Sequence, residues 1–307
     1  MKVLVTGGAG FIGSHIVDKL IEKGYETIIV DNLSTGKEEN INKKAKFYLC
    51  DITDKNTLNE IFKTEKPEFV IHHAAQIDVQ KSIKIPAFDA FVNIIGTVNI
   101  LECCRDYNVK KIVYASSAAV YGNPTTLPIE IEHKTNPISF YGISKYTPEF
   151  YIKTFSDLFG FKYTILRYSN VYGIRQDPKG EGGVISIFID RLIKSQPLIV
   201  YGDGEQTRDF IYVEDVAEAN IKALTNGDNK TLNVSTNTSI SLNKLIETMF
   251  KVAKKQVEVI YKEERKGDIK HSKLSNVLTK KILNWNYNHS IEEGIYKTYY
   301  HYSNLGM

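Results

Sequence analysis

The sequence predicts an α/β fold in which a doubly wound parallel sheet is joined to a smaller, partly interleaved α/β domain. Short apolar runs alternate with helix-length amphipathic segments through the first half of the chain. Strands that are apolar on both sides are typical of parallel sheets covered by helices on both faces. A glycine-rich turn joins the first apolar run to the first helix, and after Asn170 the alternation loosens into glycine-rich loops, shorter helices and isolated strands.

The elements follow one another in a regular order. We expect strands at KVLVT, TIIVD, KFYLC, EFVIHHA, KKIVYASS and KYTILRYS. Helices are expected over FIGSHIVDKLIEKG, from about residue 86 to 107, and from about residue 141 to 160. We expect residues 1–168 to form the first domain, with a later segment of about 209–235 returning to it, and residues 169–307 to form the second.

The composition is that of a soluble globular protein, with 42% hydrophobic and 24% charged residues among 307. A net charge of +3 is too small to indicate nucleic-acid or membrane binding. The cysteines Cys50, Cys103 and Cys104 lack CxxC spacing, so neither a disulfide framework nor a metal site is expected. Because the chain opens directly on MKVLVTGG, we expect no signal peptide, and we expect no apolar run to approach the length of a membrane span. These features predict a cytoplasmic protein.

The turn TGGAGFIG lies between the first strand and the first helix, and its glycines fit both GxxGxxG and GxGxxG spacings. Glycine permits a tight turn and lets backbone N–H groups approach a pyrophosphate, and the following helix N-terminus stabilises the anion. A glycine triplet alone also fits a close crossing of strand and helix. In this context we predict a Rossmann-type dinucleotide site that includes Gly7, Gly10, Phe11, Ile12 and Gly13.

Two acidic residues after the next strands specify the dinucleotide. Asp31 ends the second strand, at the distance where a carboxylate meets an adenosine ribose, and its charge would repel the 2′-phosphate of NADP. Asp51 and Ile52 follow the third strand and are expected near an adenine. The ordered set of glycines, Asp31 and this pair predicts NAD as the cofactor.

The stretch YGISK places Tyr141 and Lys145 four residues apart on one helix face. A free tyrosine has a pKa of about 10 and is a poor base at neutral pH. A nearby ammonium group and a positive nicotinamide ring would both lower that pKa. Ser117, at the end of the fifth strand, could bond the same substrate oxygen. Tyr–xxx–Lys pairs are often structural, but after a complete NAD motif this pair is predicted to be catalytic.

The ordered motifs TGGAGFIG, DNLSTG, HHAAQ, NIIGTVNILE, SSAAVYG, YGISK, RYSNVYG and YGDGEQTRDFIYVEDVA resemble the extended short-chain dehydrogenase/reductase family. The resemblance is closest to its UDP-glucose 4-epimerase branch and covers nearly the whole chain. It implies that Ser117, Tyr141 and Lys145 are catalytic, and that Tyr141 and Lys145 also contact the cofactor. It implies further NAD contacts at Asp31, Asn32, Ser34, Thr35, Gly36, His73, Ala74, Ala75, Gln76, Asn93 and Tyr168.

The resemblance also implies a UDP-sugar site in the second half of the chain. Asn170, Arg208 and Arg265 would hold the diphosphate, because guanidinium groups suit phosphate oxygens. The stretch LIVYG would hold uracil largely through its backbone, and Asp268 would bind the uridine ribose or support an arginine. The expected substrate contacts are Ser117, Asn170, Val184, Ile199, Tyr201, Arg208, Arg265, Asp268 and Ser272.

The implied reaction inverts C4 of a UDP-hexose through a transient 4-keto sugar, with Tyr141 as acid and base. Dehydratases of this fold use an Asp–Glu pair where this chain has Ala118 and Ala119, and decarboxylases usually carry an acid there, so both are disfavoured. A UDP-hexuronate 4-epimerase remains an alternative. A non-catalytic NAD-binding sensor is a further alternative, disfavoured because Tyr141 and Lys145 are both present.

Three further expectations concern substrate specificity, assembly and the geometry of one helix. Ser272 resembles the position that gates the sugar pocket in the family, and its small side chain would leave room for an N-acetyl group. The resemblance implies a homodimer formed through the helices near residues 86–106 and 141–160. Pro148, three residues past Lys145, predicts a kink or a widened turn in the second of these helices.

Overall fold

The computed structural model describes residues 1–179, 183–264 and 269–304. Within these ranges one large parallel sheet has helices on both faces, and a C-terminal portion contains helices and short strand pairs. The strands are β1 (Lys2–Thr6), β2 (Glu26–Asp31), β3 (Lys46–Leu49), β4 (Phe69–His72), β5 (Lys111–Ser117), β6 (Lys162–Tyr168), β7 (Asn170–Tyr172), β8 (Leu198–Tyr201), β9 (Thr207–Arg208), β10 (Phe210–Tyr212), β11 (Lys230–Val234), β12 (Ile240–Ser241) and β13 (Val259–Lys262). The α-helices are α1 (Phe11–Glu22), α2 (Lys55–Glu65), α3 (Val79–Lys84), α4 (Pro86–Ala90), α5 (Gly96–Asp106), α6 (Phe140–Phe159), α7 (Val184–Ile193), α8 (Val213–Thr225), α9 (Leu242–Ala253), α10 (Val277–Leu283) and α11 (Ile291–Asn304).

The large sheet has the strand order β11-β6-β5-β4-β1-β2-β3, and its pairings are parallel. The predicted strands β1 to β6 are all present, and β11 adds a strand beside β6. The direction of winding reverses at β1, which lies between β4 and β2. The doubly wound α/β fold expected from the sequence is therefore confirmed, and ligands of such sheets bind at the carboxyl ends of the strands beside the reversal.

Alternate side chains of each strand fill two separate cores. Val3 and Val5 pack in one core with Ile16 and Leu20 of α1, whereas Leu4 packs in the other. This split follows from the two-residue period of a strand. Helices α1 and α8 cover the first core, and α2, α5 and α6 cover the second. Burial of both sheet faces explains why the strand sequences are almost continuously apolar.

The chain after residue 209 returns to the sheet before it ends in the C-terminal portion. Helix α8 packs against α1, and β11 pairs with β6. A third core joins α7, α9 and α11 to β8, and Phe11 at the start of α1 also belongs to it. On this arrangement we propose the division expected from the sequence, with residues 1–168 and about 209–235 in one domain and residues 169–307 supplying the other.

The stretch Pro86–Asp106 is a continuous helical segment made of α4, a π-helical turn over Phe91–Ile95, and α5. By length and composition it is long and apolar enough to cross a membrane, so the expectation that no run approaches that length was wrong. Half of its most apolar window is buried inside the protein, where α5 packs against α2 and α6. A helix buried in a protein core needs the same apolar composition as one in a bilayer.

Helix α6 stays α-helical through Pro148, so the widened turn expected there is not present. Proline removes the N–H that would bond the carbonyl of Ser144. At the next carbonyl, that of Lys145, the buried hydroxyl of Tyr114 donates a hydrogen bond of 3.2 Å. The widened turn occurs instead at Phe91–Ile95, in the segment that packs against α6.

Candidate active site

The glycine-rich turn forms a cradle between β1 and α1. Gly7 has a φ of +69°, and a Cβ there would lie 2.7 Å from the backbone nitrogen of Ala74. A Cβ on Gly13 would lie 2.1 Å from the carbonyl oxygen of Gly7. Both positions therefore require glycine. Gly10 is the N-cap of α1 and offers no side-chain cap, which leaves the first N–H groups of the helix for an anionic ligand.

A cleft opens at the carboxyl ends of β1 to β4. Most of the predicted cofactor residues line it, from the loops after all four of the first strands: Gly7, Gly10, Phe11, Ile12, Gly13, Asp31, Asn32, Ser34, Thr35, Asp51, Ile52, His73, Ala74 and Ala75. Gly36 lies beside it, in a depression shared with Ser34 and Thr35. Cys50, Ile77 and Val92 also line the cleft and were not predicted. Each is next in sequence to a predicted cofactor residue: Asp51, Gln76 and Asn93, respectively.

The carboxylate of Asp31 is fixed by backbone donors in the cleft wall. It accepts hydrogen bonds from the N–H of Ala9 at 3.0 Å and from the N–H of Leu33 at 2.8 Å. Burial raises the pKa of Asp31, and these two bonds oppose the rise. The neighbouring Asn32 donates to Asp51 at 2.7 Å, which joins the loops after β2 and β3. The two predicted adenosine loops are thus held together before any ligand binds.

Helix α6 carries the predicted acid–base pair. Ser139 caps the helix by accepting a hydrogen bond from Gly142 at 3.0 Å, and the N–H of Tyr141 donates to the buried hydroxyl of Ser82 at 3.2 Å. Tyr141 is half-buried, whereas Lys145 is buried with its ammonium 4.7 Å from the ring centre of Tyr114. Burial lowers the pKa of Lys145 to about 8, and the carboxylates of Asp89 and Glu149 oppose that fall.

The buried Asn93, in the π-helical turn, joins the loop after β4 to α6. Its side-chain oxygen accepts from the N–H of Gln76 at 2.7 Å, and its amide nitrogen donates to the Gln76 carbonyl at 2.9 Å and to the Ser144 hydroxyl at 2.8 Å. Gln76 also donates to the buried Asp89 at 2.7 Å. Neither Asn93 nor Gln76 belongs to the cleft lining, so their direct contact with the cofactor stays a prediction.

Tyr168 and His73 form a stacked pair behind the cleft, with ring centres 5.7 Å apart. The Tyr168 hydroxyl is 3.1 Å from the His73 ring nitrogen, and Asn220 of α8 donates to that hydroxyl at 2.9 Å. Burial lowers the pKa of His73 to about 4, so its ring is neutral at physiological pH. Here the returning helix α8 fixes a predicted cofactor residue.

Ser117 lies where β5 ends, and its hydroxyl accepts a hydrogen bond from the N–H of Ala119 at 3.1 Å. It thereby caps the short 3₁₀ turn Ala118–Tyr121. In the sheet Ser117 pairs with Tyr168, so β5 and β6 end side by side at the cleft edge of the sheet. Ala118 and Ala119, which follow Ser117 in this turn, have no side chain that can transfer a proton.

A buried ion pair lies one helical turn beyond Lys145, and sequence reasoning did not find it. Arg167 of β6 donates to both carboxylate oxygens of Glu149, at 2.9 and 2.7 Å, and Ser116 of β5 donates to the same carboxylate at 2.7 Å. The side chains of Arg167 and Glu149 are both buried. The spacing of Glu149 four residues after Lys145 was the available signal.

The predicted substrate side chains come together from separate segments. Asn170 begins β7, and its N–H donates to the carbonyl of Asp209 at 2.9 Å. The Arg208 guanidinium donates to the carbonyl of Lys270 at 3.3 Å, and the N–H of Ser272 donates to the carbonyl of Thr207 at 3.1 Å. Arg208 and Ser272 therefore lie on adjoining backbone segments, close to Asn170.

Three of the remaining predicted substrate positions lie on β8 and α7, and two lie outside the described residues. Ile199 and Tyr201 share the half-buried face of β8, and Gln206 donates to the Tyr201 carbonyl at 2.7 Å. Val184 is the first residue of α7. Arg265 and Asp268 lie outside the described residues.

A doubly wound sheet has a glycine cradle, a buried carboxylate at the end of β2 and a Tyr–Lys helix on the same edge. This arrangement is typical of a dinucleotide-dependent enzyme. Residues 3–235 match the model of the NAD dependent epimerase/dehydratase family. The chain belongs to this family. NAD is its cofactor, the residues that line the cleft suit that molecule, and the enzyme is an isomerase of the epimerase class.

Solved relatives share the whole architecture. The UDP-glucose 4-epimerase of Thermotoga maritima, determined with UDP-glucose, is 44% identical, covers 100% of both chains and has a TM-score of 0.98. The Thermus thermophilus UDP-glucose 4-epimerase, determined with NAD, is 40% identical over 98% of this chain and 99% of its own, with a TM-score of 0.94. The UDP-N-acetylglucosamine 4-epimerase of Methanobrevibacter ruminantium, determined with UDP-N-acetylmuramic acid, is 36% identical over 99% and 98%, with a TM-score of 0.94.

Proposed function

We propose that this protein inverts C4 of UDP-hexoses, interconverting UDP-glucose and UDP-galactose, with Tyr141 as acid and base. The observation that carries the proposal is the buried Lys145, one helical turn from Tyr141, on the helix beside the NAD cleft. An ammonium group near the hydroxyl favours the phenolate form of tyrosine, which is the form able to take a proton from a sugar hydroxyl.

Tyr141, Ser117 and Lys145 have separate roles in the proposed reaction. Bound NAD would supply the hydride acceptor for C4 of the sugar and, in its reduced form, the hydride donor. Tyr141 accepts the proton of the 4-hydroxyl as the 4-keto sugar forms, and gives it back when the opposite face of C4 is reduced. Ser117 holds the C4 oxygen by a hydrogen bond, and Lys145 keeps the proton affinity of Tyr141 low.

Inversion requires the sugar to turn over between the two hydride transfers, while its nucleotide stays bound. Asn170 and Arg208 supply polar groups for the diphosphate, and Ile199 and Tyr201 a half-buried face for the uracil. The mechanism needs weaker contacts to the sugar itself. A strong hold on the diphosphate and a weak hold on the hexose allow this rotation without release of the 4-keto sugar.

The test is conversion of UDP-galactose to UDP-glucose by purified protein, without added cofactor and with NAD added. Tyr141→Phe should lower kcat by about 10²- to 10⁴-fold, because it removes the proton acceptor. NAD content, measured after acid release, should not change. Turnover by Tyr141→Phe at the wild-type rate, or no turnover of any UDP-hexose by wild-type protein with NAD bound, would contradict the proposal.

The small Ser272 favours a second substrate class. Its side chain is buried beside the segment that carries Arg208, and the family resemblance implies that a larger residue there would narrow the sugar pocket. We therefore include UDP-N-acetylhexosamines among the substrates. UDP-hexuronates belong in the same substrate panel. We also propose that the enzyme acts as a cytoplasmic homodimer.

A further inference from the structure

Asp209 lies at the junction of the segments that carry the predicted substrate side chains. It separates Arg208 from β10, and its side chain is fully buried. Its backbone carbonyl accepts the hydrogen bond from the N–H of Asn170 at 2.9 Å. Asp209 therefore adjoins two predicted diphosphate contacts through the main chain alone.

The carboxylate of Asp209 joins three further segments. One oxygen accepts from the N–H of Thr236 at 3.0 Å, from the Thr236 hydroxyl at 2.8 Å and from the Ser169 hydroxyl at 3.4 Å. The other oxygen accepts from the N–H of Asn237 at 3.1 Å and of Leu274 at 3.2 Å. Burial raises the pKa of Asp209 to about 6 and these bonds oppose the rise, so the group is ionised at neutral pH.

Two of these segments carry predicted substrate residues, and the third follows a strand of the sheet. Ser169 immediately precedes Asn170, and Leu274 follows Ser272 by two residues. Thr236 and Asn237 follow β11, the returning strand of the sheet. A buried ionised carboxylate that accepts several hydrogen bonds cannot easily exchange its partners, because each donor would be left unsatisfied. The Asp209 carboxylate thus adds a side-chain link to the main-chain bonds that set the relative position of Asn170, Arg208 and Ser272.

We propose that Asp209 is a positioning residue for nucleotide-sugar binding, which holds the diphosphate contacts and the sugar-gating segment in register with the sheet. This inference rests on the proposed UDP-sugar function. It assigns Asp209 no contact with the substrate. The expected signature is weaker binding of the nucleotide with little change in the chemical step.

Asp209→Asn is the direct test, because it replaces one accepting oxygen by an NH₂ group that faces N–H and O–H donors. Asp215→Asn is the matched control. Asp215 is equally buried and accepts N–H bonds from Asn288 at 2.9 Å and His289 at 3.2 Å, but it joins α8 to a segment without predicted substrate contacts. The measurements are the Kd of UDP by calorimetry, KM and kcat for UDP-galactose, and NAD content.

We expect Asp209→Asn to raise the Kd of UDP and the KM about 10-fold or more, with kcat within about 3-fold and NAD content unchanged. Asp215→Asn should leave all four quantities at wild-type values. If Asp209→Asn does not fold, Thr236→Val removes one donor and keeps the carboxylate. It should raise the KM in the same direction, and Thr236→Ser should restore it.

The outcomes separate the two proposals. Wild-type protein that binds no UDP overturns the proposed function itself. Wild-type protein that binds UDP while Asp209→Asn binds it equally well overturns the positioning role. The positioning role is also overturned if Asp209→Asn and Asp215→Asn lower kcat and NAD content and raise the KM to the same extent. A Thr236→Val variant with an unchanged KM overturns it as well.

Discussion

At the residue scale, the charge state of Lys145 links burial to catalysis. Burial lowers the pKa of Lys145 to about 8 from 10.5. Below that pH the ammonium is present and favours the phenolate of Tyr141. Above it the lysine is neutral and that support is lost. In the unfolded chain the lysine stays charged up to its ordinary pKa, so the folded protein binds fewer protons between pH 8 and 10.5.

Turnover should therefore fall as pH rises through about 8, while the contribution of Lys145 to the free energy of unfolding rises over the same range. The measurement is kcat for UDP-galactose from pH 6 to 10, beside urea unfolding at each pH. Lys145→Arg retains its charge throughout, so its lower activity should lack this alkaline decrease. A wild-type kcat that is equal at pH 7 and pH 10 would refute the assignment.

Ser272 offers a test of sugar selectivity. Ser272→Tyr should reduce kcat/KM for UDP-N-acetylglucosamine by about 10-fold or more, because the added ring occupies the space of the N-acetyl group. The value for UDP-glucose should stay within about 3-fold of wild type. Ser272→Ala is the control, since it keeps the side chain small. If the tyrosine variant retains the wild-type ratio of the two substrates, Ser272 does not gate the pocket.

At the element scale, α6 is held in place by polar contacts on its buried face. Asn93 bonds Ser144, and Glu149 pairs with Arg167 and Ser116. These contacts lie within one helical turn of Lys145 on either side. Because Tyr141 precedes Lys145 on the same rigid helix, the orientation of the acid–base pair depends on them.

Glu149→Gln should lower the free energy of unfolding by about 3–5 kcal/mol, because the buried Arg167 loses its counter-charge. The measurement is equilibrium urea unfolding of the protein with NAD bound. Glu247→Gln is the control: its ion pair with Lys244 is exposed, so no measurable change is expected. A change of equal size in both variants would mean that the burial of Glu149 does not govern its contribution.

At the scale of the whole molecule, exposed apolar side chains concentrate on α3, α4, the π-helical turn and α6. These helices pack against one another and form one region of the surface. With Ile85 between α3 and α4, the exposed set is Val79, Ile83, Ile85, Phe88, Phe91, Ile95, Phe140, Ile143, Phe150, Tyr151, Leu158 and Phe159. A continuous apolar surface of this kind marks an interface with another protein. A second copy of the chain is the partner that we propose.

Wild-type protein should elute from a sizing column as a dimer of 34.9 kDa chains. Phe91→Glu should shift it to monomer, because Phe91 is 49% exposed within this surface and a buried carboxylate there would be unpaired. Val277→Glu should leave the dimer intact, although Val277 is 65% exposed, since it lies on α10. A dimer that survives Phe91→Glu would place the interface elsewhere.

Local patterns in the sequence were sufficient for the sheet and for most of the NAD cleft. Strands β1 to β6 and helices α1 and α6 are short-range patterns of apolar residues, and they occur where expected. The glycines and Asp31 were identifiable because a tight turn and a strand end have strict local requirements. The place of β11 beside β6 was less evident, since a strand pairing across more than sixty residues leaves little local trace.

The sequence by itself determined the fold class, the cofactor motif and the Tyr141–Lys145 spacing, because each depends on residues close together in the chain. Only the tertiary structure decided which distant groups surround them. It paired Glu149 with Arg167, hydrogen-bonded Asn93 to Ser144, and surrounded the Asp209 carboxylate with donors from three segments. It also kept α6 α-helical through Pro148, without the widened turn that was one of the two expected outcomes. Burial and long-range hydrogen bonds set these features, and both arise only when separate parts of the chain pack together.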